Sequence, residues 1–400
     1  MIKKTIISLL LISSLFIAFS ITWIYSKIDS ALPLLNGKEI VLGLHNTAVI
    51  ERDSQGIATI KAKSRIDIAV ATGFIHAQER FFQMDLLRRN SAGELASLFG
   101  ALALNYDKSI RRHRFRERAA SIVNNLPSNQ RALLKAYTLG VNQGLMSLGA
   151  QPFEYLILQQ EPTQWSEEDS ILTIFSMYID LQYHDGQRER SLGLMKATLS
   201  SNVYAFLNPK GSIWDAAIDN SQFQPSPVPT NAWPSASTAY VPSLPTTVTH
   251  SANIAVNRYQ ADEFPGSNSW AISGDMSSTG SAIIANDMHL GIRVPNTWFR
   301  ASFEYLANNK PVKVTGATLP GTPNIVVGSN GNIAWGFTNS YGDYSDIVIL
   351  NTINNAKQYL TPSGAKDFSY HKQIIAIKDE QPVEITIKET IWGPVIGKNH

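Results

Sequence analysis

The chain has no cysteine among its 400 residues, which excludes disulfides, thiolate metal sites and a cysteine nucleophile. It also lacks a dominant charge. Thirty-four Lys and Arg against 32 Asp and Glu leave a formal net charge of +2, so no basic footprint marks a nucleic-acid partner. No Gly-x-Ser-x-Gly elbow occurs, and a serine activated by a separate histidine therefore has no sequence support. No internal repeat is present. What remains is a globular composition, 44% hydrophobic and 16% charged. At roughly 150 residues per domain, this length suggests two or three units.

The N-terminus is the first informative stretch. Lys3-Lys4 precede an apolar run from Thr5 to about Tyr25, long enough for the ~20 residues that cross a bilayer. No small-x-small cleavage pattern follows, and Trp23 and Tyr25 suit an interfacial belt. Residues 1–28 read as a signal peptide or membrane anchor, with the anchor preferred. The expected location is the periplasm, with the inner membrane as the attachment point if the segment stays.

From Val41 to Ala62 the pattern alternates like strands. At Ile66 the period changes to that of a helix, with Asp67 near its start and Arg88-Arg89 near its end. Helical patterning continues through 114–124, 130–148, 167–183 and 188–199, and Ser166 with Asp169 forms an imperfect capping box. Residues 29–220 are thus expected to be a mostly helical unit. From 221 to 266 the chain turns Pro/Ser/Thr-rich and cannot bury enough apolar area to offset its ordering entropy. A linker and an excisable spacer both fit. From 267 to 400 it reads as strands, among them 270–273, 282–285, 298–305, 312–315, 325–328, 333–338, 347–350, 374–377 and 383–388, with turn chemistry at Asn330-Gly331 and Pro320-Gly321.

Gly266-Ser267-Asn268-Ser269-Trp270 opens that last region, with Asn286-Asp287-Met288-His289-Leu290-Gly291 close behind. A serine hydroxyl needs a base within hydrogen-bond reach. A serine that becomes a chain start carries one, because an α-amine has a pKa of roughly 7.7–8.0. Ser267 therefore reads as a nucleophile released by cleavage after Gly266. An ordinary turn is the plain alternative.

These motifs, together with Glu51-Arg52-Asp53, Gly56-Ile57, the run Gly73 to Asp85, Arg88-Arg89, Gly93-Glu94-Leu95, Gly140-Val141-Asn142 and Pro162 with Trp165, resemble the penicillin acylase family of N-terminal-nucleophile (Ntn) hydrolases. That family includes cephalosporin and acyl-homoserine-lactone acylases. The resemblance runs from about Val41 to the last residue. It implies an α+β fold, an Ntn αββα sandwich joined to a helical first subunit. It also implies an α/β heterodimer cut from one precursor, acting on a small-molecule N-acyl amide such as a penicillin side chain, or alternatively on an acyl-homoserine lactone.

By the same resemblance Ser267 is the nucleophile, His289 holds its amine by side chain or backbone, and the backbone N–H of Asn339 forms half of an oxyanion hole. Met177 and Leu181, with Trp298 and Phe337, would line the acyl pocket. Asp343, Ser345 and Asp346 would hold a structural calcium completed by Glu189, or by Asp180 or Asp185, and no organic cofactor is implied. Family precursors are considerably longer. The expectation is a β-subunit whose C-terminal half, with the second oxyanion donor, is missing here. An inactive, membrane-tethered relic or scaffold is the non-enzymatic alternative.

Overall fold

A computed structural model of the chain describes residues 2–182, 186–230, 266–340, 342 and 344–397. The helices are α1 Ile2–Ser30, α2 Arg65–Ala92, α3 Ala96–Phe99, α4 Leu104–Arg111, α5 Phe115–Asn124, α6 Ser128–Met146, α7 Phe153–Leu158, α8 Glu167–Gln182, α9 Gln187–Thr198 and α10 Ser201–Leu207. The strands are β1 Val49–Arg52, β2 Ala58–Lys61, β3 Gly266–Ile272, β4 Ile283–His289, β5 Phe299–Ala307, β6 Lys310–Thr318, β7 Ile325–Ser329, β8 Ala334–Trp335, β9 Thr352–Ile353, β10 Gln358–Thr361, β11 Gly364–Asp367, β12 Ser369–Ile375, β13 Val383–Thr390 and β14 Gly393–Pro394. The architecture is α+β. Its described residues fall into two compact units, one within Met1–Leu181, Arg258–Ser340 and Lys372–Ile387, the other within Gln182–Asn257, Tyr341–His371 and Lys388–His400.

The first unit is built around α2. Ser64 caps it: the hydroxyl accepts from Asp67 N at 3.0 Å and donates back to the Asp67 carboxylate at 2.8 Å, satisfying one of the orphan donors of the first turn. Gly93 ends it in the left-handed conformation (φ 66°), its N–H returning to Arg89 O. One face packs Ile68, Ala71, Phe74 and Ile75 on Ala58 and Ile60 of β2 and on Phe299, Ala301 and Phe303 of β5. The opposite face packs Val70, Ala77, Phe81 and Met84 on Tyr137 and Val141 of α6, with Tyr155 and Trp165. Covered on both sides, the helix is buried along most of its length, so its buried polar side chains, such as His76, Asp85 and Arg88, need partners within the fold. The α2–α6 crossing is backbone on backbone: a Cβ at Gly73 would sit 2.2 Å from Tyr137 O, and one at Gly140 would sit 2.0 Å from Val70 O. Ala at either position would force the helices apart.

The sheet under α2 has the order β1-β2-β5-β6-β7-β8. Within it β2 and β5 run parallel, Ala58 opposite Ala301 through Lys61 opposite Glu304, so the N-terminal region supplies strands to the same sheet as the region after Ser267. Strands β3 and β4 stand apart as a two-stranded ribbon. The other sheets are β11-β10-β9 and β12-β13-β14.

Several sequence motifs prove to be scaffolding. Asp85, buried, takes hydrogen bonds from Arg88, Arg89 and the Tyr155 hydroxyl, and Arg88 continues to Asp169 at 2.6 Å. Asp169 also accepts from Ser166 N, the half of the capping box that is realised, and from Arg116. Buried charges of this kind must be paired and hydrogen-bonded to be tolerated, and these are. Arg52 pairs with Glu79, tying the opening strand to α2. Some expected strands are short or absent: of 333–338 only Ala334–Trp335 pairs, and 41–48 are irregular. Residues 347–350 form no strand, and Val348 and Ile349 are exposed; an apolar run without a strand to pair with stays irregular. Short elements such as α4, α7 and the β10–β11 hairpin carry too little periodicity to read from sequence. Of the proline-rich stretch 221–266, residues 221–230 are irregular, Gly266 begins β3, and 231–265 lie outside the described residues.

His76 links helices to sheet. Its Nδ1 meets the Tyr137 hydroxyl and its Nε2 the Thr318 hydroxyl, both at 2.9 Å. Gly321 N–H donates to the Tyr137 oxygen, so that hydroxyl gives its proton to Nδ1; Thr318 donates to Phe299 O, so it accepts from Nε2–H. The tautomer is thereby assigned: neutral, protonated on Nε2. Burial, and then the Arg80 charge, push its pKa down to about 3. A histidine with a depressed native pKa costs stability as pH falls, because below about 6.5 only the unfolded chain takes up the proton. The slope should approach about 1.4 kcal/mol per pH unit. Asp107, pushed up to about 6 by burial, opposes it between pH 6 and its ordinary value. NMR titration of the native imidazole should show His76 silent down to pH 4, and a His76 that titrates near 6.5 would refute the assignment.

Candidate active site

Ser267 is the second residue of β3, half-buried behind the buried Gly266. The ribbon register pairs Gly266 with His289, Ser267 with Met288, Asn268 with Asp287 and Ser269 with Asn286. Because side chains alternate along a strand, Ser267, Ser269, Asn286 and Met288 share one face. His289 and Asp287 lie on the other.

The decisive contact comes from elsewhere in the chain. The backbone N–H of Asn339 donates to Ser267 Oγ at 2.7 Å, across 72 residues. That N–H lies in the segment that leaves β8, whose Trp335 pairs with Gly328 of β7. The six-stranded sheet therefore delivers the donor and the ribbon delivers the serine. A backbone N–H bound to Oγ in the resting chain is also within reach of an oxyanion developing on an acyl carbon attached to that Oγ.

His289 does not meet Ser267 through its imidazole. Nε2 lies 2.9 Å from Asp287 Oδ2 on the opposite face, with both side chains largely exposed. Its backbone, opposite Gly266, is what stands near Ser267.

The four acyl-pocket candidates lie on three separate segments. Met177 and Leu181 are half-buried and lie one turn apart on α8, so they share a face. Trp298 is half-buried just before β5, while Phe337 is exposed. Two grooves lie elsewhere, between the end of α1 and α7, both lined by Trp23, Gln151, Leu156 and Glu161.

For the metal, Asp343 and Asp185 lie outside the described residues, and Asp180 is exposed near the end of α8. Glu189 is 3.8 Å from Arg188, and Asp346 Oδ1 accepts from Ile347 N at 2.7 Å. A Cβ on Gly186 would fall 2.9 Å from Ile347 Cδ1, so the start of α9, with Glu189, runs beside the 345–347 segment. The oxygen donors present suit a hard cation. Among the described residues no group of three acidic or histidine ligands assembles.

The sequence profile of the penicillin amidase family matches residues 47–400. The chain belongs to the penicillin amidase family. It is 26% identical over 380 residues to an acyl-homoserine lactone acylase, QuiP, of Pseudomonas aeruginosa, covering 94% of this chain and 43% of that protein. It is 27% identical over 379 residues to the penicillin acylase 2 proenzyme of Pseudomonas sp. strain SE83, covering 92% and 46%. Penicillin G acylase of Escherichia coli is 25% identical over 391 residues, with 87% and 45% covered. The chain spans less than half the length of these relatives. A solved thermostable penicillin G acylase from Alcaligenes faecalis overlaps 46% of this chain at 20% identity with a TM-score of 0.37.

Sequence reasoning gave Asn286 no role although it stands in the motif. In the structure its side chain engages the backbone of Phe337, two residues before Asn339. Only the fold reveals that contact, since 51 residues separate the partners.

The Asp287–His289 contact is exposed, and contacts of that kind contribute little. In the full-length protein, His289→Ala should keep Ser267 reactivity toward a sulfonyl fluoride within about threefold. Asn339→Pro, which removes the N–H, should lower it by about 10²-fold. A large loss in His289→Ala would bring the imidazole back into the site.

Proposed function

We propose that Ser267 is the nucleophile of an amide hydrolase that first cuts its own chain before Ser267 and then hydrolyses a small N-acyl amide. The single observation that carries the reading is the Asn339 N–H on Ser267 Oγ. In the first step Oγ adds to the Gly266 carbonyl carbon, the peptide C–N bond breaks, and water hydrolyses the resulting ester. Gly266 keeps a carboxylate and Ser267 gains a free α-amine.

That amine, with an ordinary pKa of roughly 7.7–8.0, then takes the Oγ proton as Oγ attacks the substrate carbonyl. The Asn339 N–H holds the oxyanion, worth about 3–4 kcal/mol. The ammonium returns its proton to the leaving amine, and water, activated by the same α-amine, releases the acid. The substrate class we favour is an N-acyl amide of the penicillin side-chain kind. The similarity to QuiP makes acyl-homoserine lactones the alternative.

Trp270, Ile283 and Ile284 are exposed on the ribbon, and an isolated two-stranded ribbon is marginal in water. We infer that further β-subunit chain covers it and supplies the second oxyanion donor. Helix α1, whose 27-residue span from Lys4 to Ser30 is long and apolar enough to cross a membrane and has none of that window buried, would hold the protein in the inner membrane with the rest in the periplasm.

Tryptic peptides from membrane and periplasmic fractions test these points together. No Lys or Arg lies between Ser267 and Arg293, so a processed chain yields a peptide from Ser267 to Arg293. Ser267→Ala should abolish that peptide and all turnover, and cleavage that survives the substitution would remove Ser267 from the mechanism. Amides that differ only in acyl length separate the two substrate classes.

Calcium, if it binds, would be held by carboxylate oxygens of Glu189 and Asp346, and no reaction step passes through it. A chelator should then lower the melting temperature by several degrees in the wild type and not in Asp346→Asn. An unchanged wild-type melt would exclude the site.

A further inference from the structure

We infer that Asn286 is a positioning residue for acyl transfer: its carboxamide clamps the backbone of Phe337 and thereby aims the Asn339 N–H at Ser267. The inference rests on the reading of Ser267 as nucleophile.

The clamp has two arms. Phe337 N–H donates to Asn286 Oδ1 at 3.2 Å, and Asn286 Nδ2 donates to Phe337 O at 3.0 Å and to Asn268 O at 3.2 Å. Only one orientation of the amide satisfies all three bonds. Flipping it would set Oδ1 against two carbonyls and Nδ2 against an N–H. Asn142 holds Trp165 in the same way, accepting from its N at 2.7 Å and donating to its O at 2.9 Å. A carboxamide that grips both polar groups of one residue fixes that residue's peptide planes, not just its distance.

The placement makes this matter for catalysis. Asn286 lies on the ribbon face that carries Ser267 and is opposite Ser269, two residues along. Phe337 is likewise two residues from the donor. The clamp therefore joins the strand pair that holds the nucleophile to the loop that holds its oxyanion donor, one short step from each. Gly336 makes the approach possible: a Cβ there would lie 2.8 Å from Cβ, Cγ and Oδ1 of Asn286. Misplacing a catalytic donor by about 1 Å can cost about 10²-fold, so the loop needs such a tie.

The test is a pair of variants of the full-length protein, assayed from pH 5 to pH 8 on an N-acyl nitroanilide. Melting curves report folding, and the Ser267-start peptide reports maturation. Asn286→Ala should lower the rate of Ser267 chemistry (self-cleavage, and kcat in the mature enzyme) at least about tenfold, with KM within about twofold. Asn286→Asp should be as slow at pH 8 but regain at least about tenfold relative to wild type by pH 5. Once protonated, the acid again offers one donor and one acceptor to Phe337.

A variant that merely loosened the ribbon would keep a constant ratio to wild type across that range. A constant ratio for Asn286→Asp, or a kcat within twofold of wild type for Asn286→Ala, would overturn the inference and leave the acylase reading standing. A wild type that neither matures nor hydrolyses would remove the acylase reading, and the clamp's catalytic role with it.

Discussion

Everything in the first unit depends on the burial of α2 between the six-stranded sheet and α6. Backbone contact at Gly73 and Gly140 brings the helices together, and β2 alongside β5 brings the sheet under the opposite face. Because that sheet mixes strands from before and after Ser267, its formation brings residues far apart in sequence into one frame. The His76 chain, running from Gly321 through Tyr137 and His76 to Thr318, locks the same three layers with hydrogen bonds that have no slack in donor or acceptor. Its cost is a histidine that must stay neutral.

The candidate site inherits its geometry from that frame. Neither half is catalytic by itself. The ribbon presents a hydroxyl, and the segment after β8 presents an N–H. Their meeting at 2.7 Å is a tertiary event, held by the side chain of Asn286 rather than by a strand ladder. This arrangement sets the Asn286 side chain between the backbone of Asn268, beside Ser267, and that of Phe337, two residues before Asn339. Alternation places the His289 imidazole on the far face, with Asp287.

Much of the fold was legible because burial on two faces leaves a strong imprint on composition. Helix α2 was visible from its period, with Asp67 near its start and Arg88-Arg89 near its end, and β5 and β13 from their strand-like runs. Segment 347–350 had the composition of a strand and is not one, since apolar content does not supply a pairing partner. Met177 and Leu181 were placed on one helix face, as their spacing requires, whereas the exposure of Phe337 was beyond reach of any local pattern.

The sequence by itself determined the chemistry on offer. It holds no thiol and no serine elbow, a Gly266-Ser267-Asn268 motif at the opening of the strand-rich region, an apolar N-terminal helix, and the motif order of the penicillin amidase family. These follow from residue type and short-range spacing, which propensity and capping govern locally. Only the tertiary structure decided which groups meet. The parallel pairing of β2 with β5, the Asn339 N–H on Ser267, and the grip of Asn286 on Phe337 link residues 51 to 243 positions apart, taking Ala58 with Ala301 as the longest. Such contacts are selected by packing and by satisfaction of buried polar groups across the whole unit, which no window of sequence contains.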